Sequence, residues 1–443
     1  MEFGFFFIII KKIYKMNIQE IHDLFLKCKS LSIDTRKIEK DSMFFAIKGE
    51  NFDANTFAQE ALERGALFVI IDNPSYLIDH RTILVQNSLE TLQELAKFHR
   101  QYLKIPIIAL TGSNGKTTTK ELINVVLSQK YNTKATVGNL NNHIGVPLTL
   151  LSFTNETEIG IVEMGANHKK EIEFLCDIAQ PDYGYITNFG KAHLEGFGGV
   201  EGVIEGKSEM YKYLIDNNKL AFINLEDPIQ VEKSKAIKTF TFGINNSKAD
   251  VKISSIEANP FVIIGYDSFI VNSNLIGLYN ANNINAAVAI GNYFKVDAKD
   301  IKAAIENYIP TNNRSQLLKK GTFQIILDAY NANPSSMAVA ITNFLQLDSL
   351  NKIMVLGDMF ELGNESQHEH KIVVDSLCNQ NESSVYLIGK SFFENFIPNE
   401  KLHFFETFED FAEYLKINKF KQESTILIKG SRGMALERTL DYI

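Results

Sequence analysis

Ile107-Ile108-Ala109-Leu110-Thr111-Gly112-Ser113-Asn114-Gly115-Lys116-Thr117-Thr118 runs from four apolar residues into a glycine-containing loop and a lysine, and the stretch Lys120 to Gln129 that follows has a helical pattern. A strand, a tight loop and a helix in that order build a cradle for an anion. Glycines let the backbone wrap a phosphate, and successive N–H groups with the helix N-terminus supply partial positive charge. Lys116 is placed to reach outer phosphates and Thr117 to bind Mg²⁺. Gly112, Ser113, Asn114, Gly115, Lys116, Thr117 and Thr118 are therefore the candidate phosphate-binding residues. The glycine spacing is two residues shorter than the general G-x-x-x-x-G-K-[ST] form, which favours a subgroup of nucleotide-binding enzymes over generic P-loop proteins.

Working outward, apolar runs alternate with helical patterns as in a parallel sheet with crossover helices. The predicted strands after the loop are Ile159 to Val162, Tyr183 to Ile186 and Leu220 to Ile223, with a helix over Val200 to Leu214. Upstream, short runs at Met43 to Ile47, Leu67 to Ile71 and Ile83 to Val85 flank an Ala-rich helical stretch, Thr56 to Arg64, which reads as a small α/β domain. Leu89 to Tyr102 reads as a linking helix. A break near Pro310 to Arg314 opens a third segment with strands at Phe323 to Leu327, Ile353 to Leu356, Val385 to Ile388 and Thr425 to Ile428. The fold class expected is three-domain α/β. Open α/β sheets bind ligands at the carboxyl ends of their strands. Those ends carry Thr111-Gly112, Glu163, Thr187-Asn188, Asp328, Gly357-Asp358 and Lys429-Gly430, so the expected site is shared by the second and third segments.

The 443 residues suit about three domains. A hydrophobic fraction of 45% with 22% charged residues is that of a globular chain. A net charge of -8, with no basic run longer than Lys11-Lys12 or Lys169-Lys170, argues against a nucleic-acid surface. Cys28, Cys176 and Cys378 are odd in number, far apart and without metal-ligand spacing, as expected of reduced thiols in the cytoplasm. The apolar run Phe3 to Ile10 is much shorter than the roughly 20 residues that span a bilayer, and it lacks a cleavage site, so no membrane insertion is expected. Met16 opens a plausible helix. Residues 1–15 are thus expected to be a disordered or non-native extension from an upstream start.

Several stretches together resemble the Mur ligases. The loop Thr111 to Thr117 looks like the ATP loop of those enzymes and of folylpolyglutamate synthases. Asn139-Leu140-Asn141-Asn142-His143-Ile144-Gly145, Glu163-Met164-Gly165-Ala166-Asn167-His168, Asp328-Ala329-Tyr330-Asn331-Ala332-Asn333-Pro334, Leu356-Gly357-Asp358-Met359-Phe360-Glu361 and Gly430-Ser431-Arg432-Gly433 resemble the branch that adds D-alanyl-D-alanine. The likeness covers essentially everything after Met16.

The resemblance implies an ATP-dependent ligation of D-Ala-D-Ala to UDP-MurNAc-tripeptide through an acyl phosphate. It divides the chain into a UDP-substrate domain (16–87), a central ATP-binding domain (88–312) and a C-terminal ligase domain (313–443). By similarity Lys116 holds phosphates, Thr117 and Glu163 hold Mg²⁺, and His193 with a carbamylated Lys207 supports a second Mg²⁺. Asn280, Asn283, Arg314 and Asp328 are implied at the nucleotide base and ribose, with Tyr279 standing where many relatives have His. Thr35, Arg36, Lys48, Gly49 and Phe52 are implied at the uridine nucleotide, in a pocket that is expected to remain because Asn55 keeps a hydrogen-bonding side chain. Asn139, Asn141, Asn142, Tyr330, Asn331, Asn333, Asp358 and Arg432 are implied at the peptide substrates, with Glu361 as a closure residue.

A cytoplasmic monomer is expected. Two other classes remain open at this point. One is a ligase of different specificity, either a sister Mur ligase adding the third amino acid or a folylpolyglutamate synthase. The first would carry an Asp-Asn-Pro-Arg stretch that the third segment lacks, and the second has no need of a uridine-type first domain. The other is a noncatalytic nucleotide switch, which the presence of Lys116, Glu163 and Lys207 argues against.

Overall fold

The computed structural model describes residues 16–443 except 312, 350 and 381. The expectation for residues 1–15 lies outside the described residues. The chain is mixed α/β with mostly parallel sheets, and the contacts of its described residues divide it into two compact units: 16–109 with 131–165 and 173–183, and 110–130 with 166–172 and 184–443.

The first unit opens with the helix Ile18–Phe25. Asn17 caps it by accepting from Glu20 N–H, while the Glu20 carboxylate accepts from Asn17 N–H, so two orphan donors are satisfied reciprocally. Four parallel strands follow in the spatial order Leu31–Ser32, Ser42–Phe45, Ala66–Ile71, Thr82–Leu84. Phe44, Val69, Ile71 and Leu84 bury one face of this sheet against Ala58, Ala61 and Leu62, where small helix residues let helix and sheet approach closely. The predicted helix Thr56 to Arg64 divides into a 3₁₀ turn, Ala54–Phe57, and an α-helix, Ala58–Glu63. Lys48–Gly49 and Phe52–Asp53 form a small antiparallel hairpin. The linking helix is Ser88–Leu103. This unit also holds the first residues of the strand Ile107–Thr111, beside Ile159–Glu163, whose other neighbour is Thr133–Ala135.

In the second unit the last residues of Ile107–Thr111 lie next to Tyr183–Ile186, and then come Leu220–Asn224, Lys238–Ile244, Val251–Ala258, Phe261–Tyr266 and Phe269–Ile276. Leu220–Asn224, Lys238–Ile244 and Val251–Ala258 pair in parallel, and the last two strands are antiparallel. That antiparallel extension was not predicted. Its strands alternate buried and exposed residues, a weaker signal than the continuous apolar runs of the buried parallel strands. The helix after the phosphate loop is Lys116–Leu127, starting four residues earlier than predicted because Gly115, left-handed at φ +78°, serves as its N-cap. Residues 316 onward form a second sheet, ordered Gln316–Lys320, Phe323–Asp328, Thr425–Lys429, Lys352–Gly357, Ser383–Ile388, Leu402–Phe405 and parallel after the first pair. Phe411, Leu415, Phe408 and Phe420 close the core on one of its faces.

Candidate functional site

The phosphate-binding loop has the backbone its sequence requires. Gly112 has φ +144°, and a Cβ there would overlap the Thr187 side chain. A Cβ on Gly115 would come within 2.5 Å of Asn283 Oδ1. The loop is pinned from the strand end at Thr187-Asn188. Asn114 N–H donates to Asn188 Oδ1 at 3.1 Å, and Asn114 C=O accepts from Asn188 Nδ2 at 3.0 Å and Thr187 Oγ1 at 2.5 Å. Ser113 Oγ donates to Gly190 C=O at 2.7 Å. Lys116 Nζ donates to Gly112 C=O at 2.7 Å, which lays the ammonium across the mouth of the loop. Thr117 is buried at the first turn and Thr118 half-buried beside it. This is a wrapped backbone, a helix N-terminus and a lysine in one place, and a nucleotide phosphate fits it.

Asn280 and Asn283 are both buried, and their amides are engaged within the protein. Asn280 Nδ2 donates to Ile276 C=O at 2.8 Å and its Oδ1 accepts from Asn283 Nδ2 at 2.8 Å, while Asn283 Oδ1 accepts from Thr119 Oγ1 at 3.0 Å. The pair braces the underside of the loop at Gly115. Tyr279 is half-buried, with its hydroxyl 2.6 Å from Ser315 Oγ, and desolvation of that hydroxyl pushes its phenol pKa up. Ser315 N–H donates to Asp328 Oδ1 at 3.1 Å, and Asp328 Oδ2 accepts from buried Lys429 Nζ at 2.6 Å. Arg314 lies over the Tyr330 ring, with its Cζ 3.7 Å from the centroid.

Lys207 is 1% exposed within the helix Val200–Asp216, donating to Ala166 C=O at 3.1 Å and lying 5.0 Å from the Phe197 ring centre. Burial first, and then the charge of Lys116, lower its pKa. His193, left-handed at φ +52°, pairs with Glu361 at Nδ1–Oε2 2.5 Å, and the imidazole holds the Glu361 carboxyl below its usual range. Glu163 ends its strand 1% exposed, with Oε1 accepting from Asn141 Nδ2 at 2.8 Å and Oε2 without a protein partner. An orphaned buried carboxylate oxygen fits a cation. Among the described residues, no three His, Cys, Asp or Glu side chains gather into a metal cluster.

The implied peptide residues are used in different ways. Asn142 Oδ1 accepts from Ile144 and Gly145 N–H at the start of the helix Gly145–Leu151, and Asn139 is exposed. Asp358 is 4% exposed, and its two oxygens accept from Ser391 and Phe392 N–H at 2.9 and 3.0 Å, so it caps the turn Lys390–Phe393. Asn331 is exposed, with Oδ1 accepting from Ala332 N–H, and Arg432 pairs with Glu437 at 2.7 Å. In the first unit Arg36 is exposed and forks onto Asp34, Thr35 is half-buried, and Phe52 is 57% exposed on the hairpin with Lys48 and Gly49, stacked on Phe57. Asn55 spends its hydrogen-bonding groups within the domain. It is fully buried, and Nδ2 donates to Asp53 and Asp72 while Oδ1 accepts from Asp72 N–H, so its amide braces the domain interior rather than a pocket.

The sequence places Asn188 and Lys429 at strand ends of the expected site without a role for either, and gives Lys191, Glu369 and Ser335 no place in it. The signal for Lys429 is its place at the end of the apolar run Thr425 to Ile428, and the structure sets it in register with Asp328. The pair Lys191–Glu369, at 2.5 Å, joins residues 178 apart and had none.

The chain matches the Mur ligase family, catalytic domain, over residues 27–105, the Mur ligase middle domain over 110–291, and the Mur ligase, glutamate ligase domain, over 313–432. It is 37% identical over 420 residues to the UDP-N-acetylmuramoyl-tripeptide--D-alanyl-D-alanine ligase of Bacillus subtilis, covering 92% of this chain and 91% of that one. Among solved structures, MurF from Acinetobacter baumannii matches with a TM-score of 0.83 at 30% identity, covering 96% of this chain and 97% of that one. MurF ligase from Thermotoga maritima in complex with ADP matches with a TM-score of 0.81 at 29% identity over 94% and 97%.

Proposed function

The chain belongs to the Mur ligase family, and from that premise we propose that it joins D-alanyl-D-alanine to UDP-N-acetylmuramoyl-tripeptide in peptidoglycan synthesis, consuming ATP. The observation that carries this is similarity along most of the chain to enzymes of that name, 37% identical across 92% of the chain for one of them.

Joining a carboxylate to an amine in water is uphill. The γ-phosphoryl group of ATP passes first to the tripeptide carboxylate, and the dipeptide amine then displaces phosphate from the acyl phosphate. Such transfer needs positioning and positive charge more than covalent help. The loop N–H groups and Lys116 would hold and neutralise the phosphates. Two Mg²⁺ would supply charge neutralisation across the transferring phosphoryl group, with Thr117, Glu163, His193 and Lys207 as ligands. Lys207 fits a ligand only as an anion. Its lowered pKa favours the neutral amine, whose lone pair adds to CO₂ and which then loses a proton to leave a carbamate. Asp328, Lys429 and Arg314 would face the nucleotide from the third segment. The hairpin bearing Lys48, Gly49 and exposed Phe52, with Arg36 nearby in sequence, would take the UDP-sugar in a domain over 16–87, followed by an ATP domain over 88–312 and a ligase domain over 313–443.

We place the enzyme in the cytoplasm as a monomer. Among the described residues no helix is long and apolar enough to cross a membrane. Incubation with ATP, Mg²⁺, D-Ala-D-Ala and either the lysine or the diaminopimelate UDP-tripeptide is expected to give a pentapeptide by mass spectrometry from at least one of them. Extension of a UDP-dipeptide by a single amino acid instead would assign the chain to a sister ligase.

A further inference from the structure

The helix Pro334–Leu345 begins with an amide that is used twice. Asn333 Oδ1 accepts from Ser336 N–H at 2.9 Å, and Asn333 N–H donates to Ser336 Oγ at 3.1 Å, which caps the helix. The other half of the amide is not spent on the cap. Nδ2 donates to Asn114 Oδ1 at 2.7 Å, 219 residues back at the tip of the phosphate-binding loop.

Asn114 is itself immobilised. Its backbone N–H and C=O are both held by Asn188, and the carbonyl by Thr187 as well. A side chain projecting from so fixed a backbone points where the loop conformation sends it. One residue beyond the cap, Ser335 Oγ accepts from Lys191 N–H at 2.8 Å, so the same helix start meets the 187–191 loop that pins Asn114. Asn333 is only 7% exposed, and its amide faces protein on both sides.

We propose that the Asn114–Asn333 amide pair is the contact through which the C-terminal segment reads the wrapped phosphate loop, holding the strand ends at Asp328 and Lys429 in their working place when the loop is ordered. Asn333 is then a positioning residue rather than a group that touches the peptide substrate. The inference rests on the ligase reading above.

Asn333→Ser separates the bridge from the cap. Serine caps a helix as well as asparagine does, but its single-carbon hydroxyl is too short to span to Asn114. The variant is expected to melt within about 2 °C of the unaltered protein and to bind ADP within about threefold. Its kcat for pentapeptide formation is expected to fall about tenfold, the loss of one net hydrogen bond in the transition state. Asn114→Ala should lose about as much, and the double variant little more than either, because two halves of one contact do not add. Asn333→Ser with kcat within about twofold of the unaltered enzyme, or single losses that multiply to about a hundredfold in the double variant, would overturn the proposal. So would a loss of ADP affinity with kcat intact. The unaltered protein runs alongside: its failure to make pentapeptide would remove the ligase reading itself, whereas pentapeptide formation with Asn333→Ser undiminished would remove the amide pair alone.

Discussion

Lys207 stands where an ammonium ion is costly, buried on a helix against Phe197 with Lys116 adding like charge. Conversion to a carbamate, as proposed above, would turn that liability into an oxygen ligand. Lys207→Ala is expected to lower turnover by on the order of a hundredfold. Lys207→Arg should fail to restore it, because guanidinium does not form the same carbamate. Near-normal turnover of Lys207→Arg in CO₂-depleted buffer would make Lys207 an ordinary buried cation. A second residue-scale device lies in the first unit. His99 Nε2–H donates to Phe153 C=O at 3.0 Å, so its Nδ1 accepts from His22 Nε2–H at 3.0 Å, leaving His22 Nδ1 buried without a partner. Burial, then the neighbouring His99, pull the His22 pKa down from 6.5 to about 4. The folded state therefore refuses a proton that the unfolded chain takes up. This contribution to stability is complete above about pH 6.5 and is lost progressively as the pH falls from there to about 4. His22→Gln keeps a donor toward His99 and does not titrate, so its urea midpoint should drop less than the unaltered protein's between pH 7 and pH 5. Equal drops would assign the acid sensitivity elsewhere.

At the scale of the element, the phosphate loop and the helix behind it form one unit of sequence and shape. Gly112 needs φ +144° and contact with Thr187. Gly112→Ala is expected to cost about 1–3 kcal/mol in backbone strain alone, and calorimetric titration should show ADP binding weakened at least tenfold. Binding within a factor of two would mean the loop tolerates another shape. This element was legible because its chemistry is local: four apolar residues, glycines at the turns and a lysine at the first helical position. The parallel strands were legible for a related reason, since Ile107–Thr111, Ile159–Glu163 and Thr425–Lys429 are buried throughout and read as unbroken apolar runs. The antiparallel strands from Val251 to Ile276 were not, because one face is solvated and their alternation is broken by bulges at Ile253/Ser255 and Phe261/Ile263.

For the whole molecule, what sequence could not supply is which polar side chain meets which. Asn280, Asn283, Asn333 and Asp358 all stood in motifs that suggested ligand contact, and each is buried with its polar atoms engaged by the protein itself. Short polar side chains bond to ligands and to backbone equally well, so residue type alone does not separate the roles. Within the second unit, the C-terminal segment meets the loops at 114 and 188–195 through amides, a hydroxyl and the ion pairs Lys191–Glu369 and His193–Glu361. Polar contacts of this kind contribute little net free energy each. Such contacts suit a closure that forms for each turnover and releases afterwards. An acyl phosphate must be kept from water, so ATP cleavage should be tied to ligation. The most direct measurement follows inorganic phosphate and pentapeptide together in one reaction. The account predicts one phosphate for each pentapeptide and negligible release with ATP alone; phosphate released at an undiminished rate without UDP-tripeptide or D-Ala-D-Ala would contradict it.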